Sequence, residues 1–145
     1  MNNKELVKKY PFMKYRSMYT GKLSEDDRYT WFDEIPEGWR KAFGLKMVEE
    51  LYQILKKADY VDKYEIAQIK EKFGALRWYS GGVPEEIWEE YRDWIMKYEH
   101  MSERTCIVCG APATKISTGW ISPFCDDCVS QDHPEWYVNI KECEE

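Results

Sequence analysis

The chain has 145 residues, 43% of them hydrophobic and 33% charged, with a formal charge of −6 at pH 7, which fits one compact soluble domain or a small domain with a metal-stapled appendage. No apolar run approaches the ~18 residues of a membrane helix and no charged-then-apolar leader opens the chain, so neither a membrane span nor a signal peptide is expected, and the cytoplasm is the expected compartment. The charge is uneven: residues 1–100 carry 18 basic and 19 acidic side chains, residues 101–145 only 3 and 8, so a phosphate backbone should repel the C-terminal part and nucleic acid is disfavoured as its partner.

Residues 1–22 hold Lys4, Lys8, Lys9, Lys14, Arg16 and Lys22 against Glu5 alone, interleaved with Tyr10, Phe12, Tyr15 and Tyr19. Such a mixture can grip phosphates and bases. The alternative, which we favour, is an amphipathic opening helix over Lys4–Tyr10, ended by Pro11, whose rings cover a core while its lysines stay in water.

Residues 24–28 read as a polar loop and Trp31–Pro36 as the approach to a helix, with Pro36 in its first turn. From Trp39, the apolar positions Phe43, Met47, Leu51, Ile54, Leu55 and Ala58 step by three and four, predicting one inward stripe over about five turns. Gly44 inside that stretch costs up to about 1 kcal/mol relative to alanine and marks a close approach of the backbone. After a break at Asp59–Lys63, residues 64–79 read as two short strands folded at Phe73-Gly74, with Leu76 and Trp78 on one face and Arg77 and Tyr79 on the other. A helix is the rival, because Ile66, Ile69 and Phe73 also share a face at helical spacing.

Ser80-Gly81-Gly82 ends that element, and Pro84 opens a second long helix with Glu85, Glu86, Glu89 and Glu90 near its positive end. Its expected buried stripe is Ile87, Trp88, Tyr91, Trp94, Ile95 and Tyr98. Then come Cys106-Ile-Val-Cys109-Gly110 and Cys125-Asp-Asp-Cys128, two pairs of thiols with fifteen residues between them. That spacing is the signature of a structural zinc site, and Gly110 supplies the positive φ such a turn needs. Buried free thiols or disulfides are the alternative. Four protein ligands leave no open position for water or substrate, so one Zn2+ is expected to hold structure rather than perform hydrolysis. Only three residues separate Ser102 from Cys106, so the module should dock on the second helix or on the sheet. Past Cys128, Pro134 limits any helix, Glu135–Glu145 is expected to be a partly disordered acidic end, and Cys143 is expected to be a free thiol.

The fold class expected is α+β: two long amphipathic helices packed on a small antiparallel β-hairpin, with a C-terminal zinc ribbon-like module. The division falls between a body at 1–101 and a module at 102–145. The stretch Ile69-Lys-Glu-Lys-Phe-Gly-Ala-Leu-Arg-Trp-Tyr79, taken with the Cys-x-x-Cys-Gly, Gly119-Trp120 and Cys-x-x-Cys module, resembles a group of small bacteriophage and prophage proteins over roughly Trp31–Cys128. The resemblance implies a helix-rich body, a terminal zinc module and the cytoplasm of a bacterial host. It also raises the expectation of an inhibitor of host machinery, defence proteins included.

Neither His100 nor His133 sits beside a nucleophile, and Gly81-Gly82 lacks the spacing and lysine of a phosphate loop. No acid–base pair can be assigned, so enzyme is the weaker class. The hairpin face is the better candidate: Lys70, Lys72, Arg77 and Tyr79 offer two ammoniums, a guanidinium fork and a flat ring to an acidic protein surface or a small phosphate-bearing ligand. The expected function is a non-enzymatic, zinc-stabilised binding protein of phage type that inhibits a host protein or sequesters a nucleotide; a nucleic-acid-binding regulator is the alternative. An aromatic content of 16% exceeds what a core of this size needs, so some rings should face a partner, a homo-oligomer included.

Overall fold

The computed structural model describes residues 1–140. The expectation for Cys143 lies outside the described residues. The protein is α+β, with small antiparallel sheets and a C-terminal cluster of four cysteines. No helix among the described residues is long and apolar enough to cross a membrane.

Helix α1 (Asn3–Lys9) starts at a capping box in which the Asn2 side chain accepts from Glu5 N and the Glu5 carboxylate accepts from Asn2 N, satisfying two amides the helix itself cannot. Behind it, Leu6, Tyr10, Phe12 and Met13 are buried. Tyr10 meets Tyr52 edge-on and Phe12 meets Tyr64 edge-on. Lys9 pairs with Glu49 and Lys14 with Asp27, each at 3.0 Å, and Arg16 donates to the Gly21 carbonyl. Of the rings in this basic segment, Tyr10 and Phe12 therefore serve the core and Tyr15 packs against it, whereas Tyr19 is 96% exposed. Tyr10 and Phe12 are not available to stack on bases.

A 3-10 turn at Trp31–Glu34, capped by Thr30, leads into a short α2 (Glu37–Trp39). A π-helical turn, Arg40–Gly44, and then α3 (Leu45–Lys57) follow. The stripe runs through all three, burying Trp39, Phe43, Met47, Val48, Leu51, Ile54 and Leu55. The single helix expected from Trp39 to Ala58 thus has a wider coil in its first part, and its regular α portion is thirteen residues. Gly44 does mark a close approach, to a side chain: a Cβ there would lie 2.8 Å from the Phe32 ring. Asp59, at φ 50°, ends the helix; Tyr60 N–H donates to Leu55 O and Asp59 N–H to Lys56 O, the paired bonds of a Schellman motif.

Strands β1 (Ile66–Lys72) and β2 (Ala75–Ser80) form the hairpin, resolving the strand-or-helix alternative in favour of strands. Phe73 and Gly74 hold φ values of 54° and 81°, the two left-handed positions of a type I′ turn. A register shift between Ile66 and Gln68 leaves Ala67 unpaired, so that Ile66 and Ile69, three apart, both point into the core. The eighteen-residue α4 (Glu85–Ser102) packs on α3 and β2. It buries Ile87, Tyr91, Trp94 and Tyr98, but Trp88, expected in that stripe, is 51% exposed. Positions 87, 91, 94 and 98 already define the inward line, and residue 88 lies a full 100° step from it.

Where α4 crosses the hairpin, Trp78 Nε1 donates to Tyr64 Oη at 2.8 Å, Tyr64 Oη meets Tyr91 Oη at 2.5 Å, and Ser80 Oγ meets Tyr91 Oη at 2.6 Å. Burial pushes both tyrosine hydroxyls above their ordinary range, and Tyr64 well above it. A group that keeps its proton longer when folded contributes stability that is present below pH 10 and lost as pH rises past it. Each tyrosine can remove at most about 1.4 kcal/mol per pH unit in that window. Urea midpoints measured from neutral pH to above pH 10 should therefore fall, and fall less steeply for Tyr91→Phe than for the parent; parallel curves would remove the network as their cause.

The C-terminal sheet has the order β4-β3-β5, from β3 (Lys115–Ser117), β4 (Pro123–Phe124) and β5 (Tyr137–Asn139). Within the partly disordered acidic end expected over Glu135–Glu145, residues 135–139 thus form a turn and a strand, while 141–145 lie outside the described residues. A 3-10 turn at Pro134–Trp136 returns the chain, and Tyr137, Val138 and Asn139 pair with Ser117, Ile116 and Lys115.

Candidate metal centre and binding face

The four thiols Cys106, Cys109, Cys125 and Cys128 come from two turns, one after α4 and one after β4. Their sulfurs all lie within 4.8 Å of one another, with Cys109 and Cys125 3.5 Å apart. Sulfurs held tetrahedrally about 2.3 Å from one ion would be about 3.8 Å apart, so the set fits a single metal. The first turn closes through Gly110 N to Cys106 O, with Gly110 at φ 86° as expected, and the second through Cys128 N to Cys125 O. Burial pushes the Cys106 thiol up, but hydrogen bonds led by the backbone amides of Cys109, Cys125 and Val108 outweigh it and bring it down to about 7. Burial and the neighbouring thiols push Cys128 well up. Four thiols this close cannot all ionise without a cation among them, and with one bound they become its thiolate ligands. The ion would contribute cross-linking of two chain segments.

The cluster is built into the body. Gly38 N donates to Ile107 O at 2.9 Å, and the buried Trp39 Nε1 donates to Thr105 O at 2.9 Å. A Cβ on Gly38 would lie 2.2 Å from the Cys106 carbonyl oxygen, and one on Gly110 would lie 2.7 Å from the Gly38 carbonyl oxygen. The module docks on the start of α2, a place the sequence reading did not name, and on the hairpin turn, where Gly74 approaches Ile121.

On the hairpin, the pairs Lys70–Arg77, Lys72–Ala75 and Gln68–Tyr79 lie on one face, open except at Ala75, which is buried. Lys70, Lys72, Arg77 and Tyr79 thus share one side of the sheet. Their states differ. The Arg77 guanidinium is bonded to Glu99 of α4, both about a third exposed, so its fork is occupied within the fold. Lys70 Nζ lies 5.8 Å from the centre of the Tyr79 ring and Lys72 Nζ 5.6 Å from that of Phe73. Among the described residues, neither ammonium has a carboxylate partner.

Sequence reasoning missed the neighbours of this face. Phe73 is 69% exposed and Trp120 80% exposed, and with Lys70, Glu71, Lys72, Gly119 and Ile121 they line a groove of about 400 Å³ between the hairpin tip and the 119–121 loop, the Glu71 carboxylate accepting from Gly74 N in the turn. The available signal was an aromatic in a turn position that asparagine or glycine normally takes. Holding a bulky residue at positive φ costs on the order of 1 kcal/mol or more. His100 is exposed at the end of α4, and His133 stacks on Trp136 with ring centres 3.8 Å apart.

No family model matches the chain, and comparison with curated proteins and with solved structures returned no match.

Proposed function

We propose that the protein is a non-enzymatic, zinc-stabilised binding protein of phage type, acting in the cytoplasm of a bacterial host, that occupies a host molecule through the outer face of its hairpin. The observation that carries this reading is the pair Lys70 and Lys72, neither with a carboxylate partner among the described residues, beside exposed Tyr79, Phe73 and Trp120. Exposed lysines normally find acidic neighbours or lie alone in water, and exposed large aromatic rings in a cluster are costly unless a partner covers them. Zinc suits a closed set of four thiolates in a ribbon-like module, and such a set holds structure. The likeness of Lys70-Glu-Lys-Phe-Gly74 and the cysteine module to small phage proteins supports a host target, defence proteins among them. The net charge of −6 argues against a long nucleic acid.

Native mass spectrometry of the protein purified from its bacterial host tests the proposal. The parent should carry one zinc and a further mass, polypeptide or small ligand, and the double variant Lys70→Glu, Lys72→Glu should keep the zinc and lose that mass. A parent holding zinc alone, or a variant holding the same further mass, would overturn the assignment.

A further inference from the structure

We propose that the groove between the hairpin tip and the Gly119–Ile121 loop binds a nucleotide, with its base against Phe73 and Trp120 and its phosphates on Lys70 and Lys72. The inference rests on the binding role just given and names the ligand. Three observations carry it. The groove, at about 400 Å³, has the size of a small-ligand site. Its two large rings come from different parts of the fold and are 69% and 80% exposed, with Lys72 Nζ 5.6 Å from the Phe73 ring centre, and an exposed aromatic ring can stack on a base whatever the base's identity. Its two lysines carry no carboxylate partner among the described residues, and ammonium groups on flexible stems serve phosphates as point charges. An acidic peptide would also meet the lysines. Yet lysine is depleted at protein interfaces where aromatics are enriched, and a groove with lysines and two exposed rings along it matches a ligand that is itself half flat ring and half anion.

Phe73 supplies a clean test, because Phe73→Asn places at the positive-φ position a residue that prefers it. That variant should melt no lower than the parent. Isothermal titration of the full chain with the common ribo- and deoxyribonucleoside mono- and triphosphates should find binding by at least one. Adenosine alone and tripolyphosphate alone should each bind at least about tenfold more weakly than that nucleotide, as should the nucleotide itself to Phe73→Asn and to Trp120→Ser. Binding by none of the nucleotides, tripolyphosphate binding as tightly as the nucleotide, or unchanged affinity in both ring variants would each overturn the inference. If no nucleotide binds but a host polypeptide is lost from the Lys70→Glu, Lys72→Glu variant, the ligand is wrong and the binding role stands. If the parent also carries no further mass, both fall.

Discussion

Cys109→Ser is expected to release the metal and unfold the module from about Thr105 onward, while leaving a body that still folds but melts lower than in the parent. Structural zinc contributes on the order of 10 kcal/mol in small modules, which is comparable to the whole stability of a domain. The three short strands β3, β4 and β5 hold eight residues in all, too little sheet to persist without the cross-link. The body has its own core, built from Trp31, Ile35, Met47, Leu51, Leu55 and the buried side of α4. It nevertheless uses the module: Trp39 Nε1 is buried and its acceptor is Thr105 O. A buried donor stripped of its partner costs about 1–3 kcal/mol. The thermal melt should therefore show only the body's transition, shifted down by several degrees, with none for the module. Metal content and the melt, measured together, check this. A Cys109→Ser protein that keeps one metal ion and melts like the parent would show that the ligand set is wrong.

How much of this could be read beforehand differs by element, for physical reasons. The cysteine pairs were legible because two-residue spacing, with a following glycine at the first pair, encodes a local turn. The stripe from Trp39 to Leu55 was legible because one periodicity runs the whole length of it. The hairpin was ambiguous because of the unpaired Ala67. With the register shift, Ile66 and Ile69 face the same side of a strand at a spacing that in an unbroken strand would oppose them, and the same spacing is what a helix would show. Trp88 was misplaced because a large aromatic beside a stripe looks like part of it, and only the packed helix tells the two lines apart. Strand β5 was hidden in Tyr137–Asn139, three residues inside an acidic stretch, because a pairing with Lys115–Ser117 across twenty residues leaves no local trace. The candidate site was half legible. Lys70, Lys72, Arg77 and Tyr79 followed from alternation, whereas the capture of Arg77 by Glu99 and the arrival of Trp120 beside Phe73 depend on tertiary contacts.

Gly38→Ala is expected to cost about 3–5 kcal/mol, a loss far above that of an ordinary glycine replacement. Gly38 drew no notice in the sequence, since it opens a helix where many residues would serve. In the fold its Cα side is filled by the first cysteine turn: an added methyl would sit 2.2 Å from Cys106 O, 2.5 Å from the Ile107 carbonyl carbon and 2.6 Å from Ile107 O. All three are backbone atoms of a segment that also carries a metal ligand, so no side chain can swing away to make room. Relief requires the turn to lift off α2, breaking the bond from Gly38 N to Ile107 O and the one from Trp39 Nε1 to Thr105 O. The metal site is coupled to that movement, because the lifted turn carries Cys106 and Cys109 while Cys125 and Cys128 stay with β4. Gly38→Ala should therefore both melt lower and give up its metal to a chelator more readily than the parent. Gly82→Ala is the control. A Cβ at Gly82 meets nothing within 4 Å, so that variant should match the parent or gain a few tenths of a kcal/mol from a stiffer unfolded chain. Equal melts and equal metal retention in the two variants would mean that the cysteine turn does not rest on Gly38.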